Sequence, residues 1–149
     1  MIGNFGSSNE VRRVVNATAA GTSDITGSAV DTQGYDGVAF VLLAGTLTAT
    51  QVTSLKAQQS DDDGGVDAYD DIAGSATGPL ADADGNKLLV LDIRRPRKRY
   101  VKPIVDRGTA NAVIDGVIAI LYRADFTPTP QHSTASAVNL LNQPAEGTP

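Results

Sequence analysis

YDGVAFVLLAGTLTA, residues 35–49, contains the first long apolar run of the chain, Val38 to Ala44. The run is short, contains branched and aromatic residues, and is bounded by glycine and threonine, so it reads as a central strand of a sheet. Gly, Thr, Ala, Val and Asp dominate the remainder, and the other apolar segments are equally short and enclosed by turn residues. That is an all-β pattern.

Working outward, residues 10–19 (EVRRVVNATA) and 23–31 (SDITGSAVD) read as strands, the second exposed on one face. In 51–60 (QVTSLKAQQS), Leu55, Ala57 and Gln59 alternate with Ser54, Lys56 and Gln58, the period of a half-buried strand. A short helix through Val52 and Leu55 is the alternative reading of that segment. An acidic, turn-rich stretch follows at 61–79, with a short strand expected around Tyr69 to Ile72. ADGN at 83–86 has the composition of a hairpin-type turn, because Asp-Gly suits positive φ.

Leu88 to Ile93 is expected to be core, and Arg99 to Asp106 a further strand, with Pro96 breaking the two or lying on a sheet edge. Val117 to Tyr122 supplies another apolar strand. About eight strands with regular turns fit a β-sandwich or jelly roll. The expected organisation is one all-β domain: a jelly-roll-like β-sandwich over residues 13–125 between an N-terminal arm, 1–12, and a Pro/Thr/Ser-rich C-terminal arm, 126–149. Val38 to Leu43, Leu88 to Leu91 and Val117 to Leu121 do not alternate as one-sided sandwich strands should, so their outer faces call for cover by a partner subunit or by the chain's own loops.

The chemistry is sparse. With no cysteine, a thiolate metal site, a Cys nucleophile and a disulfide framework are excluded. The one histidine, His132, lies in the Pro/Thr-rich tail, a poor place for a catalytic triad or metal site. Asp82, Asp84 and Asn86 look like the start of a calcium loop, but Ile93 stands where the twelfth-position carboxylate belongs, which favours a plain turn. Asp61, Asp62, Asp63, Asp67, Asp70 and Asp71 read as a solvated acidic loop, with a hard-cation site as the alternative. No phosphate loop, nucleophile elbow or dinucleotide-binding turn occurs. No catalytic residue, cofactor or metal is therefore expected. No membrane association is expected either: no apolar run approaches the roughly 18 residues of a spanning helix. The N-terminus has no secretion-signal pattern, which suggests a soluble protein.

Residues 94–103, RRPRKRYVKP, place Arg94, Arg95, Arg97, Lys98, Arg99 and Lys102 together in a chain of net charge −5. Outside that segment stand 6 basic and 17 acidic residues, a net of −11 that would repel a phosphate backbone. Aromatics are few, so base-stacking platforms are not available, and nucleic acid is not expected as a partner. If the stretch is extended, Arg95, Arg97 and Arg99 share one face, and Arg94, Lys98 and Tyr100 the other. It then reads as a solvated edge that resists sheet pairing, or as a contact patch for an acidic protein surface. Asp61, Asp62 and Asp63 of a neighbouring copy are candidate counterparts.

FVLLAGTLTATQVTSLKAQQSDDDG (40–64) and KRYVKPIVDRGTANAVIDGVIAILYRAD (98–125) together resemble a group of small head proteins of tailed bacteriophages. The resemblance implies a capsid cement or decoration protein with a jelly-roll fold. Its partners would be the major capsid protein and other copies of itself, as a dimer or trimer, on the outer surface of an icosahedral shell assembled in the host cytoplasm. The alternatives are another virion or tail-associated structural module and, more remotely, a dUTPase-like hydrolase. In the last, NAVIDGV (111–117) resembles the sugar-recognition segment and Asp115 would align the attacking water, although the family's glycine-rich phosphate motif is missing.

Overall fold

A computed structural model shows the fold and describes residues 3–143 and 145–147. A single helical turn, α1 (Phe5–Ser8), precedes ten strands: β1 (Glu10–Val15), β2 (Thr18–Gly21), β3 (Ile25–Thr26), β4 (Val30–Asp31), β5 (Tyr35–Leu47), β6 (Val52–Ser60), β7 (Asp70–Asp71), β8 (Leu88–Arg94), β9 (Tyr100–Gly108) and β10 (Ala112–Ala124). One antiparallel sheet has the order β1-β10-β5-β8 with β2 also on β10. The other has the order β3-β9-β6-β7 with β4 also on β9. The two form a sandwich, as the all-β pattern requires, and the chain changes sheet at most connections.

The two long apolar segments, β5 and β10, pair at the centre of their sheet, with Phe40 opposite Ala119 and Leu42 opposite Val117. Their inward residues Val38, Phe40, Leu42, Val117, Ala119 and Leu121 are buried against Leu55, Ala57, Val101 and Val105 from the facing sheet. The outward residues Ala39, Val41, Leu43, Ile118 and Ile120 are half-buried, with Val41 opposite Ile118 and Ala39 opposite Ile120. The continuous apolar runs therefore do alternate in depth, and cross-strand neighbours give the outer half its partial cover.

Several expectations are corrected. Leu88 to Ile93 is not uniformly core: Leu91 is buried and Leu89 and Ile93 pack against the core, whereas Leu88 is 56% and Val90 54% exposed. The strand lies at the sheet's edge, and its outward side chains stay exposed. The N-terminal arm is shorter than residues 1–12, because β1 begins at Glu10 and pairs with β10 from Glu10 opposite Leu121 onward. Residues 23–31 form two two-residue strands rather than one, both on β9. In the turn at 83–86 the positive φ falls on Asn86 rather than on Gly85.

The two terminal segments pack together. Ser7 O accepts the Thr129 N–H, Gln131 Nε2 donates to Gly6 O and Asn9 O, and Asn4 Nδ2 donates to Leu141 O. Along the outer edge of β1, the N–H groups of Val11 and Arg13 donate to Gln131 Oε1 and Thr134 Oγ1. The tail thus satisfies backbone donors that an edge strand otherwise leaves open.

Candidate functional site

The basic stretch is the connection between β8 and β9, and it turns instead of running extended. Arg95 takes a positive φ of 51° and donates its N–H to Asp36 O at 2.8 Å. The two-faced alternation of Arg95, Arg97 and Arg99 against Arg94, Lys98 and Tyr100 is consequently not realised. Pro96, lacking an N–H, sits in the turn itself, where no ladder bond is lost.

Most of these cations find counterions within the same chain. Asp36 accepts Arg94 Nε at 3.1 Å and Arg95 Nε at 3.0 Å, and Arg123 Nη1 lies 3.6 Å from it. Arg95 and then Arg94 hold the Asp36 carboxyl below the usual aspartate range. Three guanidinium groups converge on one carboxylate, which leaves a local excess of positive charge at the surface. Arg99 forks onto Asp31 through Nε at 2.9 Å and Nη2 at 2.7 Å, and its guanidinium stands 5.1 Å from the Tyr100 ring centroid. Lys98 Nζ bonds both oxygens of Asp67 at 2.9 and 2.7 Å. Lys102 Nζ sits 3.9 Å over the Tyr69 ring, whose hydroxyl donates to Asp63 Oδ1 at 2.5 Å. Burial and then Asp63 push that hydroxyl's pKa strongly upward. Arg97 is exposed and has no carboxylate partner among the described residues.

The acidic loop is solvent-exposed, as expected, and is also ordered by its own hydrogen bonds. Asp62 accepts the N–H groups of Gly65 at 3.0 Å, Val66 at 2.6 Å and Asp67 at 3.1 Å, which lowers its pKa, the Val66 bond contributing most. Asp61 joins the same turn through its N–H to Asp67 Oδ2. Within one chain, Lys98–Asp67 and Lys102–Tyr69–Asp63 already join this loop to the basic stretch. The loop between β6 and β7 lies over the start of β9, where Ser60 pairs with Tyr100, so charges remote in sequence come together.

Asp36, Asp31 and Arg123 were not singled out from the sequence. Their signal lies in strand ends: Tyr35 opens β5 opposite Ala124, which closes β10, and Gly37 stands opposite Arg94 of β8. Charges just inside those ends therefore cluster. Between them Tyr122 lies across Gly37 to donate to Asp92 Oδ1 at 2.7 Å. A Cβ on Gly37 would clash with the Tyr122 hydroxyl oxygen and stand 2.7 Å from Ile93 O, so only glycine admits this crossing.

Beside the turn runs an open cleft of about 460 Å³ lined by Gln59, Asp71, Ile72, Ala73, Ile93 and Arg94 to Arg97. Its one carboxylate, Asp71, is held by Gln58 and Lys56. The cleft offers guanidinium donors for an anionic group and no nucleophile paired with a base. Asp115 is exposed where β10 shifts register between Ile114 and Gly116, and it lines none of the clefts described. His132 Nδ1 contacts Thr134 Oγ1 in the tail. Asp82 accepts the Thr50 N–H, and Asp84 binds the Ala81 N–H and Lys87 Nζ, the contacts of a turn. Among the described residues, no group of three or more His, Asp or Glu is placed to hold a metal ion, and no helix is long and apolar enough to cross a membrane. In comparisons with known proteins no family model matches the chain, and no curated protein or solved structure matches it significantly.

Proposed function

We propose that this chain is a structural virion protein that binds the outer surface of an icosahedral bacteriophage head and cements neighbouring capsomers of the major capsid protein. The reading rests on the resemblance of residues 40–64 and 98–125. The structural observation that supports it most is the surface at the β8–β9 turn. There Arg94, Arg95 and Arg123 share a single carboxylate and Arg97 has none among the described residues, so guanidinium groups remain available to fork onto acidic side chains of another protein. The sheet orders β1-β10-β5-β8 and β3/β4-β9-β6-β7, with successive strands changing sheets, support a jelly-roll topology.

A cement protein acts by mass action. Each copy binds only the assembled lattice, so its binding free energy lowers that lattice relative to separated subunits, and a copy that bridges two capsomers gains from effective concentration. A rigid sandwich with its termini folded back suits that role, since little ordering entropy is lost on docking.

Co-sedimentation with purified, expanded shells tests the reading. Saturable, stoichiometric binding at moderate ionic strength is the expected result, weakened by Arg97→Glu with an unchanged circular dichroism spectrum. Absence of binding to expanded shells overturns it.

A further inference from the structure

Three of the four sheet edges are blunted. The tail covers β1, β2 on the same edge is four residues long, and β3, β4 and β7 are only two. The fourth, β8, is different. Seven residues pair with β5 in unbroken register, from Gly37 opposite Arg94 to Leu43 opposite Leu88. The ladder is bracketed by Ala44 N–H to Lys87 O and Arg95 N–H to Asp36 O, so the odd-numbered residues of β8 face β5 with their backbone groups. The N–H and C=O groups of Leu88, Val90, Asp92 and Arg94 then point away from the sheet. The same four side chains are exposed, and the strand has no proline, lysine or bulge within it. Natural edges carry such devices because an open apolar edge recruits another strand.

Charge identifies which strand. From residue 82 to 97 the chain reads DADGNKLLVLDIRRPR: Asp82, Asp84 and Lys87 precede the apolar run, a net −1, and Asp92, Arg94, Arg95 and Arg97 lie at its far end, a net +2. Antiparallel pairing of this segment with itself sets acid against base at both ends, whereas parallel pairing sets like charges together. We propose that β8 is a self-association edge: two copies pair β8 antiparallel about a two-fold axis near Val90, fusing their β1-β10-β5-β8 sheets into one. Val90 then faces Val90 of the second copy, and Arg94 approaches the second copy's acidic turn at Asp84. The interface is isologous and closes at two copies. It stands independently of the capsid reading, since it concerns the chain in free solution.

Sedimentation velocity on the full chain, from micromolar to near-millimolar concentration, tests this. A species of twice the 15.4 kDa chain mass is expected, weakening as salt rises. Val90→Lys places like charges opposite one another and should raise the dissociation constant about tenfold or more. Val90→Pro removes an N–H that the β5 ladder does not use and should act the same way. Val90 is exposed, so an unchanged far-UV spectrum is expected for both variants. In the wild type, the Val90 and Asp92 amides should exchange more slowly as concentration rises. A chain that stays monomeric throughout, or a dimer unmoved by both variants, overturns the proposal.

Discussion

Leu88 and Leu91 lie three residues apart in one strand, and truncating each to alanine should separate them sharply. Leu91 points into the sandwich and is 8% exposed, whereas Leu88 points outward and is 56% exposed. Removing three buried carbon groups at about 0.8 kcal/mol each costs about 2.4 kcal/mol for Leu91→Ala, and the residual cavity raises this to about 3 kcal/mol. At Leu88 less than half of the transfer contribution applies and no cavity is left, giving about 1 kcal/mol. For a chain of this length, that corresponds to melting temperatures lowered by roughly 6–12 °C and roughly 2–4 °C respectively. Urea unfolding followed by far-UV circular dichroism, at protein concentrations dilute enough to keep the chain monomeric, provides the assay, with m-values compared to confirm a common unfolded state. Equal losses at the two sites, or a larger loss at Leu88, would refute the assignment of alternate faces in β8.

Other consequences follow from individual contacts. Gly37→Ala should destabilise the fold and return Tyr122 ionisation toward the ordinary phenol range; ultraviolet titration reads this, since burial and then Asp92 push Tyr122 up to about 12 in the wild type. Thr53→Val should stabilise by about 1 kcal/mol, because the Thr53 hydroxyl is fully buried without a partner among the described residues; thermal melts decide it. Stability should fall in acid. The carboxyls of Asp31, Asp36, Asp62, Asp67, Asp71 and Asp84 are all depressed in the fold, so their contribution is complete above the ordinary value of 3.8 and is lost as pH drops through the lower folded values. Asp106, raised by burial, opposes this trend in part, and melting temperature against pH from 7 to 2 would show no acid decline if the ion pairs were absent. Asp62→Asn should speed hydrogen exchange at Gly65, Val66 and Asp67, and unaltered exchange would contradict the loop's construction around that carboxylate.

The sandwich was legible wherever a strand lies in mid-sheet. Val38 to Ala44 and Val117 to Tyr122 announce β5 and β10 because both faces of a central strand gain cover from lateral neighbours. The same apolar signature misled at Leu88 to Ile93, since composition does not say that a strand sits at an edge with one row of side chains in solvent. The basic cluster was visible as a cluster, but its counterions were not. Arg99 meets Asp31 across 68 residues and Arg94 meets Asp36 across 58, distances that only strand order closes. The tail's docking was hidden for a related reason. Its Pro/Thr-rich composition describes a weak former of structure, while Gln131 and Thr134 act by supplying acceptors to β1.

Imaging of intact mature particles with the chain labelled tests the capsid account most directly. Cementing predicts density or label repeated over the whole outer shell at the contacts between capsomers, with the β8–β9 turn against the major capsid protein. Label confined to the tail or to one vertex, or none on the shell, would contradict it.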